Sequence, residues 1–292
     1  MARTPFTSLV RSVAQPRSTL LEGEHMDTIT STDGTMIAYQ RSGTGPPLVL
    51  VHGTTADHTR WTPVLPAFEQ HFTVYAVDRR GRGGSGDAER YEIEREFEDL
   101  VALVNSIEEP VFLLGHSYGA LCSLEAARRT SHLRKLVLYE PPIPTGIEIY
   151  PTAVVTRIQA LLDAGDREGA VTTFLQDVAR VPPHEMEILR SAPSWPARVA
   201  AAHSILREMR ESNEYSFESA RFSAVTIPTL LLLGGDSPAF LKAATEAVHA
   251  ALPESQVVVM PGQQHTAMNT APELFTRAVL QFLAEASQIG HL

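Results

Sequence analysis

Short apolar runs alternate with helical periodicity along most of this chain. Runs at 47–51, 72–77, 110–114, 136–139, 227–233 and 256–260 are continuous and rich in Val and Leu. They read as strands buried on both faces, the pattern of a parallel sheet. Between them lie stretches with a 3–4 spacing. Over 94–107 the apolar positions are Phe97, Leu100, Val101, Val104 and Ile107, one face of a helix. Residues 28–30 and 36–39 flank Asp33-Gly34, a hairpin signal. The alternation predicts an α/β fold, a mostly parallel sheet with helices on both faces.

Residues 143–222 break the rhythm. Helical stretches at 154–164, 167–180, 185–191 and 196–211 are punctuated by Pro182, Pro183, Pro193 and Pro196, with no buried strand among them. The strand–helix pattern resumes near 225 and closes with a helix over 272–286. Residues 1–25 precede the pattern and read as a loosely ordered extension. They hold Arg3, Arg11 and Arg17 but no apolar core of a secretory signal.

Composition narrows the function classes. The 292 residues are 43% hydrophobic and 20% charged, ordinary for a globular protein able to bury a sizeable core. The formal charge of −10 argues against nucleic acid and against anionic membranes as partners. It favours a neutral or cationic small-molecule ligand. No apolar run is long enough for a transmembrane helix. Cys122 is the only cysteine, so no internal disulfide can form, which suits a cytoplasmic location.

One pentapeptide carries most of the chemistry. Gly115-His116-Ser117-Tyr118-Gly119 matches G-x-S-x-G and lies between a strand-type run and the helix-forming segment 120–129. Strand, tight turn and helix are what a nucleophile elbow needs. The glycines permit the turn, and Ser117 is lifted out of the sheet. A serine hydroxyl needs a base, and the base needs an acid to orient it. In this elbow architecture the chain order is Ser, acid, His. Asp236 follows the run 227–233, and His265 lies in the loop after 256–260. Glu140, at the end of 136–139, is the rival acid; Asp166 and other acids of 143–222 rank below both.

With these motifs the chain resembles the α/β-hydrolase superfamily over roughly residues 26–288. His52-Gly53-Thr54-Thr55 and Asp78-Arg79-Arg80-Gly81-Arg82-Gly83-Gly84-Ser85 resemble the family's loops, and 136–142 its sixth strand, in the same order. The resemblance implies an eight-stranded sheet, with a core of 26–142 and 223–292 and a helical cap at 143–222. It implies a Ser117–Asp236–His265 triad. Backbone N–H groups of Thr54 and Tyr118 would form the oxyanion hole, with His52, Gly53, Gly115, His116 and Gly119 as support. Trp61, Trp195 and Met268, and the Tyr118 ring, are candidate walls of the substrate pocket. The implied activity is hydrolysis of carboxylic esters through an acyl-enzyme, on a neutral, partly apolar substrate. Lactone, amide, C–C and perhydrolase or haloperoxidase-type chemistry use the same triad in this family. A ligand receptor with slow turnover is the alternative from another class.

Two other patterns carry less. Residues 81–86 spell G-x-G-x-x-G, but no helix begins there and Asp99 lies inside a helix, so no dinucleotide site is expected. The turn is expected to shape the rim of the sheet, anchored by Asp78. Eleven histidines include no H-E-x-x-H or similar cluster, so neither metal nor organic cofactor is expected.

Overall fold

The computed structural model describes residues 26–285. Its eight strands are β1 (Met26–Thr30), β2 (Met36–Gly43), β3 (Pro47–Val51), β4 (Thr73–Val77), β5 (Val111–His116), β6 (Leu133–Tyr139), β7 (Thr229–Gly234) and β8 (Ser255–Met260). They form one sheet in the order β1-β2-β4-β3-β5-β6-β7-β8. β1 and β2 pair antiparallel, as do β2 and β4; every later pair is parallel. The sequence expectation of a mostly parallel sheet therefore holds. The hairpin turn is closed by Ser31 N–H to Thr35 O at 2.8 Å, with Gly34 at φ 88°.

Strand parity sorts the core. Val49, Val51, Val111 and Leu113 face one layer, while Leu48, Leu50, Phe112 and Leu114 face the other. This is the period-2 alternation of a strand covered on both sides. Around the sheet lie α1 (Leu65–Glu69), α2 (Ile93–Ser106) and α3 (Tyr118–Ala127). On α2, Phe97, Leu100 and Val104 are buried in the first layer, with Val101 and Ile107 packed against them. Cys122 is buried on α3, where burial pushes its thiol up, away from the reactive thiolate.

Between β6 and β7 the chain is helical. It comprises α4 (Thr152–Asp163), α5 (Arg167–Thr173), a π-helical turn Phe174–Val178, α6 (Pro183–Ser191), α7 (Trp195–Ala200) and α8 (Ile205–Glu214). A short 3-10 turn, Ala201–Ser204, splits the helix expected over 196–211 into α7 and α8. This insertion has its own apolar core, including Ile158, Val171, Met186, Leu189 and Ile205. Then come α9 (Ala239–Ala251), the short α10 (Ala267–Thr270) and α11 (Pro272–Ala284). Among the described residues no helix is long and apolar enough to cross a membrane. The expectation for residues 1–25 lies outside the described residues.

Candidate active site

Ser117 sits between β5 and α3 with φ 56° and ψ −127°. Such a conformation is sparsely populated for a residue with a side chain and costs about 1–3 kcal/mol. The surroundings hold it there. Ser117 N–H donates to Tyr139 O at 2.8 Å, tying the turn to β6. A Cβ on Gly119 would stand 2.3 Å from His52 O, and one on Gly115 would stand 2.5 Å from Gly119 O. Only glycine lets α3 approach β3 and β5 this closely, so the elbow is built from packing as well as from turn freedom. Tyr118 is the first residue of α3, and its N–H lies among those a helix start leaves without an intrahelical acceptor. Thr54, on the loop after β3, lines the same cavity as Ser117.

His265 lies in the loop after β8. Its Nδ1 meets Glu140 Oε2 at 2.5 Å. Glu140 is fully buried at the end of β6. Its other oxygen, Oε1, accepts from Gly234 N–H at 2.8 Å and Ser237 Oγ at 2.5 Å. The carboxylate is thus fixed at both oxygens. A carboxylate only accepts here, so Nδ1 carries the proton and Nε2 is left as the basic nitrogen. The loop is further pinned by His116, whose Nε2–H donates to His265 O at 2.9 Å. Tyr139 OH donates to Gln264 O and accepts from Ala267 N–H at 3.2 Å. Thr266 Oγ1 donates to Glu185 Oε2 of α6 at 2.5 Å.

The carboxylate at His265 is thus Glu140 and not Asp236, the one expected there from the sequence. Asp236 is exposed, and its recorded hydrogen bond is a backbone one, N–H to Gln263 O at 3.0 Å. The turn after β7 sends Ser237, not Asp236, towards the site. Chain order alone does not separate the two acids, because both precede His265. Their settings do differ in the sequence: Glu140 follows an apolar run directly, whereas Asp236 sits in a Gly-Gly-Asp-Ser-Pro turn.

The supporting histidines are neutral. Burial holds His52 well below its usual pKa, reinforced by Arg79 and Arg82. It accepts from Arg79 N–H at Nε2, 3.1 Å, and donates from Nδ1 to Gly53 O, 2.8 Å, joining the loops after β3 and β4. Burial likewise depresses His116, helped by His265 and Arg60. A Cβ on Gly53 would press on Ser117 Cβ at 2.8 Å.

Ser117, His265, Thr54 and His116 line one cavity together with Arg60, Thr266 and Phe174, Leu175, Ala179, Val181 and Arg198 of the insertion. The insertion therefore walls the site. The cavity leaves about 30 Å³ for water-sized occupants. A larger depression, about 520 Å³, is an open polar surface lined by Asp33, Asp87 and Arg95, among others, and includes neither Ser117 nor His265. The expected aromatic walls are elsewhere. Trp61 and Met268 are fully buried in the layer beneath the sheet, Trp195 packs in the insertion's core, and the Tyr118 hydroxyl meets Tyr91 OH at 3.0 Å. Met268 acts at one remove, its sulfur accepting from Arg60 Nη2 at 2.9 Å. Sequence reasoning missed Arg60, between Thr59 and Trp61, and Arg198, between Ala197 and Val199; a lone arginine carries no pattern that marks it as buried.

At the glycine-rich turn, Gly83 lies against the Asp78 carboxylate, where a Cβ would stand 2.0 Å from Oδ2. Asp78 anchors the turn by accepting from Gly84 N–H at 2.8 Å, and it is itself held by the backbone N–H and the Nδ1 of His58, each at 2.8 Å. Potential ligand atoms of Asp57, His58 and Asp78 lie within 4.8 Å of one another. The Asp78 oxygens and Asp57 Oδ1 are already engaged in these turns, with Asp57 accepting from Thr59 N–H at 2.9 Å.

The family model described as the alpha/beta hydrolase family matches residues 48–278. Among curated relatives, a 2-(acetamidomethylene)succinate hydrolase of Mesorhizobium japonicum is 25% identical over 264 residues, covering 84% of this chain and 90% of that protein. The crystal structure of an alpha/beta hydrolase from Sphaerobacter thermophilus is 36% identical with a TM-score of 0.76, covering 88% of this chain and all of that one. A thermophilic esterase from Thermogutta terrifontis is 25% identical with a TM-score of 0.68, covering 89% of this chain and 98% of its own. On fold, motif order and these matches, the chain belongs to the alpha/beta hydrolase family.

Proposed function

We propose that the protein is a serine hydrolase that cleaves small carboxylic esters through an acyl-enzyme, with Ser117, His265 and Glu140 as its triad. The observation that carries this reading is the His265 Nδ1–Glu140 contact at the wall of the cavity that Ser117 also lines. His265 Nε2 removes the Ser117 proton as Oγ bonds to the acyl carbon. Glu140 holds the imidazole tautomer and offsets its positive charge. The N–H groups of Thr54 and Tyr118 receive the developing oxyanion, a donor typically worth about 3 kcal/mol of barrier. The tetrahedral adduct collapses, the acyl–oxygen bond breaks, and His265 protonates the leaving alcohol. Water, deprotonated by His265, then attacks the acyl-serine and releases the acid and free Ser117.

Relatives named as esterase and as hydrolase support the reaction class. The relative whose substrate name contains an acetamido group makes amide cleavage the second reading. The test is turnover of 4-nitrophenyl acetate and 4-nitroacetanilide by wild type and Ser117→Ala. Ester turnover that falls by about 10³-fold or more in the variant is the expected result. Faster Ser117-dependent cleavage of the anilide would favour the amide reading. Equal rates in wild type and variant would remove the nucleophile, and with it both readings.

A further inference from the structure

Five arginines are buried among the described residues: Arg60, Arg79, Arg80, Arg82 and Arg198. Three are matched with carboxylates. Arg79 meets Glu96 at 2.6 Å and Glu208 at 2.5 Å, Arg80 meets Asp99 at 2.7 Å, and Arg82 meets Glu208. The other two, Arg60 and Arg198, form no ion pair with a carboxylate of the described residues. These two are the arginines of the active-site wall.

Their partners are neutral. Arg60 Nη1 donates to Asn269 Oδ1 and Nη2 to Met268 Sδ. Arg198 Nη1 donates to Thr55 O at 3.2 Å. A guanidinium has five N–H donors, so most of the donor capacity of the pair is unused. Glu185 and Tyr139 act on Arg60 and Asp57 acts on Arg198 only through space. Burial and the neighbouring Arg198 lower Arg60, and burial brings Arg198 down to about 10, which leaves the latter charged at neutral pH. Proteins place buried charges in pairs because desolvation otherwise costs several times a surface ion pair's value. This chain follows that rule at Arg79, Arg80 and Arg82, and departs from it at the cavity.

We infer that Arg60 and Arg198 form a carboxylate-binding subsite, and that the substrate is a small acyl compound carrying a free carboxylate in addition to the bond that is cut. The carboxylate is held by the two guanidiniums while the acyl carbon faces Ser117. One arginine comes from the core loop after β3 and one from α7 of the insertion, so an anion between them would also draw the insertion onto the core. A planar carboxylate suits the forked donors and the limited space; a phosphate is bulkier. The overall charge of −10 had favoured a neutral or cationic ligand, but the local field of two unpaired cations sets the preference inside the cavity.

The inference takes the position of the reacting bond from the hydrolase reading, so the experiment has two arms. In the first, kcat/KM is compared for mono-(4-nitrophenyl) glutarate and its uncharged counterpart 4-nitrophenyl pentanoate. Wild type is expected to prefer the anionic ester, and the preference ratio to fall by about 10²-fold in Arg60→Gln and in Arg198→Gln, with Arg198→Lys between. In the second, Ser117→Ala protein is titrated calorimetrically with succinate and with inorganic phosphate. Saturable succinate binding, lost when Arg198→Gln is added, supports the subsite even if neither ester is turned over. An equal or better rate on the pentanoate with a ratio unmoved by the variants overturns the inference. So does a Ser117→Ala protein that ignores succinate, or that takes up phosphate in preference to it. Should the glutamine variants fail to fold, the wild-type ratio and the succinate titration decide alone.

Discussion

Glu140 and Asp236 end neighbouring strands, β6 and β7, and a difference of one turn separates their fates. Glu140 is fully buried, with φ 49°, and directs one oxygen to His265 and the other to the β7 turn. Asp236 points to solvent. Glu140→Gln therefore lowers kcat/KM on 4-nitrophenyl acetate by about 10³–10⁴-fold, because an amide can present the wrong hydrogen-bonding face to Nδ1. Asp236→Asn leaves it within about twofold, as befits an exposed side chain without a partner among the described residues. The reverse result, loss at Asp236 with retention at Glu140, would restore the acid the sequence favoured. The positions of Ser117 and His265 beside one cavity were legible because each is marked by a turn after a strand. The acid was ambiguous because side-chain reach across two strand ends is not written in chain order. Arg60 and Arg198 were illegible for a related reason: their meaning lies in the carboxylates that are missing around them, and only the folded neighbourhood reveals a missing partner.

At the scale of elements, the sheet was the legible part and the insertion the less legible one. Strand period 2 and the 3–4 spacing of α2 follow from burial on a regular lattice, so they survive in the sequence. The insertion's helices were visible, but not the 3-10 break at Ala201–Ser204 or the π turn that brings Phe174 and Leu175 to the cavity. Both are local departures settled by packing. What fastens the insertion to the core was also hidden. Glu208 of α8 receives Arg79 and Arg82 from the loop after β4, in a buried cluster with Glu96 and Tyr91. The Arg79 guanidinium also stacks 4.6 Å from the Tyr118 ring, directly after Ser117. Glu208→Gln keeps the volume and deletes the charge, leaving Arg82 with Glu96 at 3.8 Å as its remaining carboxylate. Stability should drop by about 3–5 kcal/mol, read as a lower urea midpoint at pH 7. An unchanged midpoint would mean that apolar packing alone seats the insertion.

For the whole molecule, the charge that matters is distributed in layers: a net −10 overall, an ion-paired interior behind the elbow, and two cavity arginines without an ion pair among the described residues. The ion-paired interior makes folding depend on pH. Burial alone would raise the Glu96 carboxyl, but Arg79 and Arg82, with hydrogen bonds from Arg79 and Tyr91, outweigh it and hold it down at about 2. In the unfolded chain a glutamate titrates near 4.3. A folded value below the unfolded one means that Glu96 stabilises the protein fully above the unfolded pKa. That contribution is lost as pH falls from there through about 2, where both states are protonated. Asp99 acts with the opposite sign, since burial holds it above its usual value despite Arg80. The comparison that isolates Glu96 is therefore wild type against Glu96→Gln, with urea midpoints at pH 7, 5, 4 and 3. Wild type should be the more stable at pH 7 and lose that advantage progressively below about pH 4.5, so that the two curves converge in acid. Parallel curves across the range would place the acid sensitivity in other carboxylates, and would reduce the buried cluster to a positional role for Arg79 beneath α3.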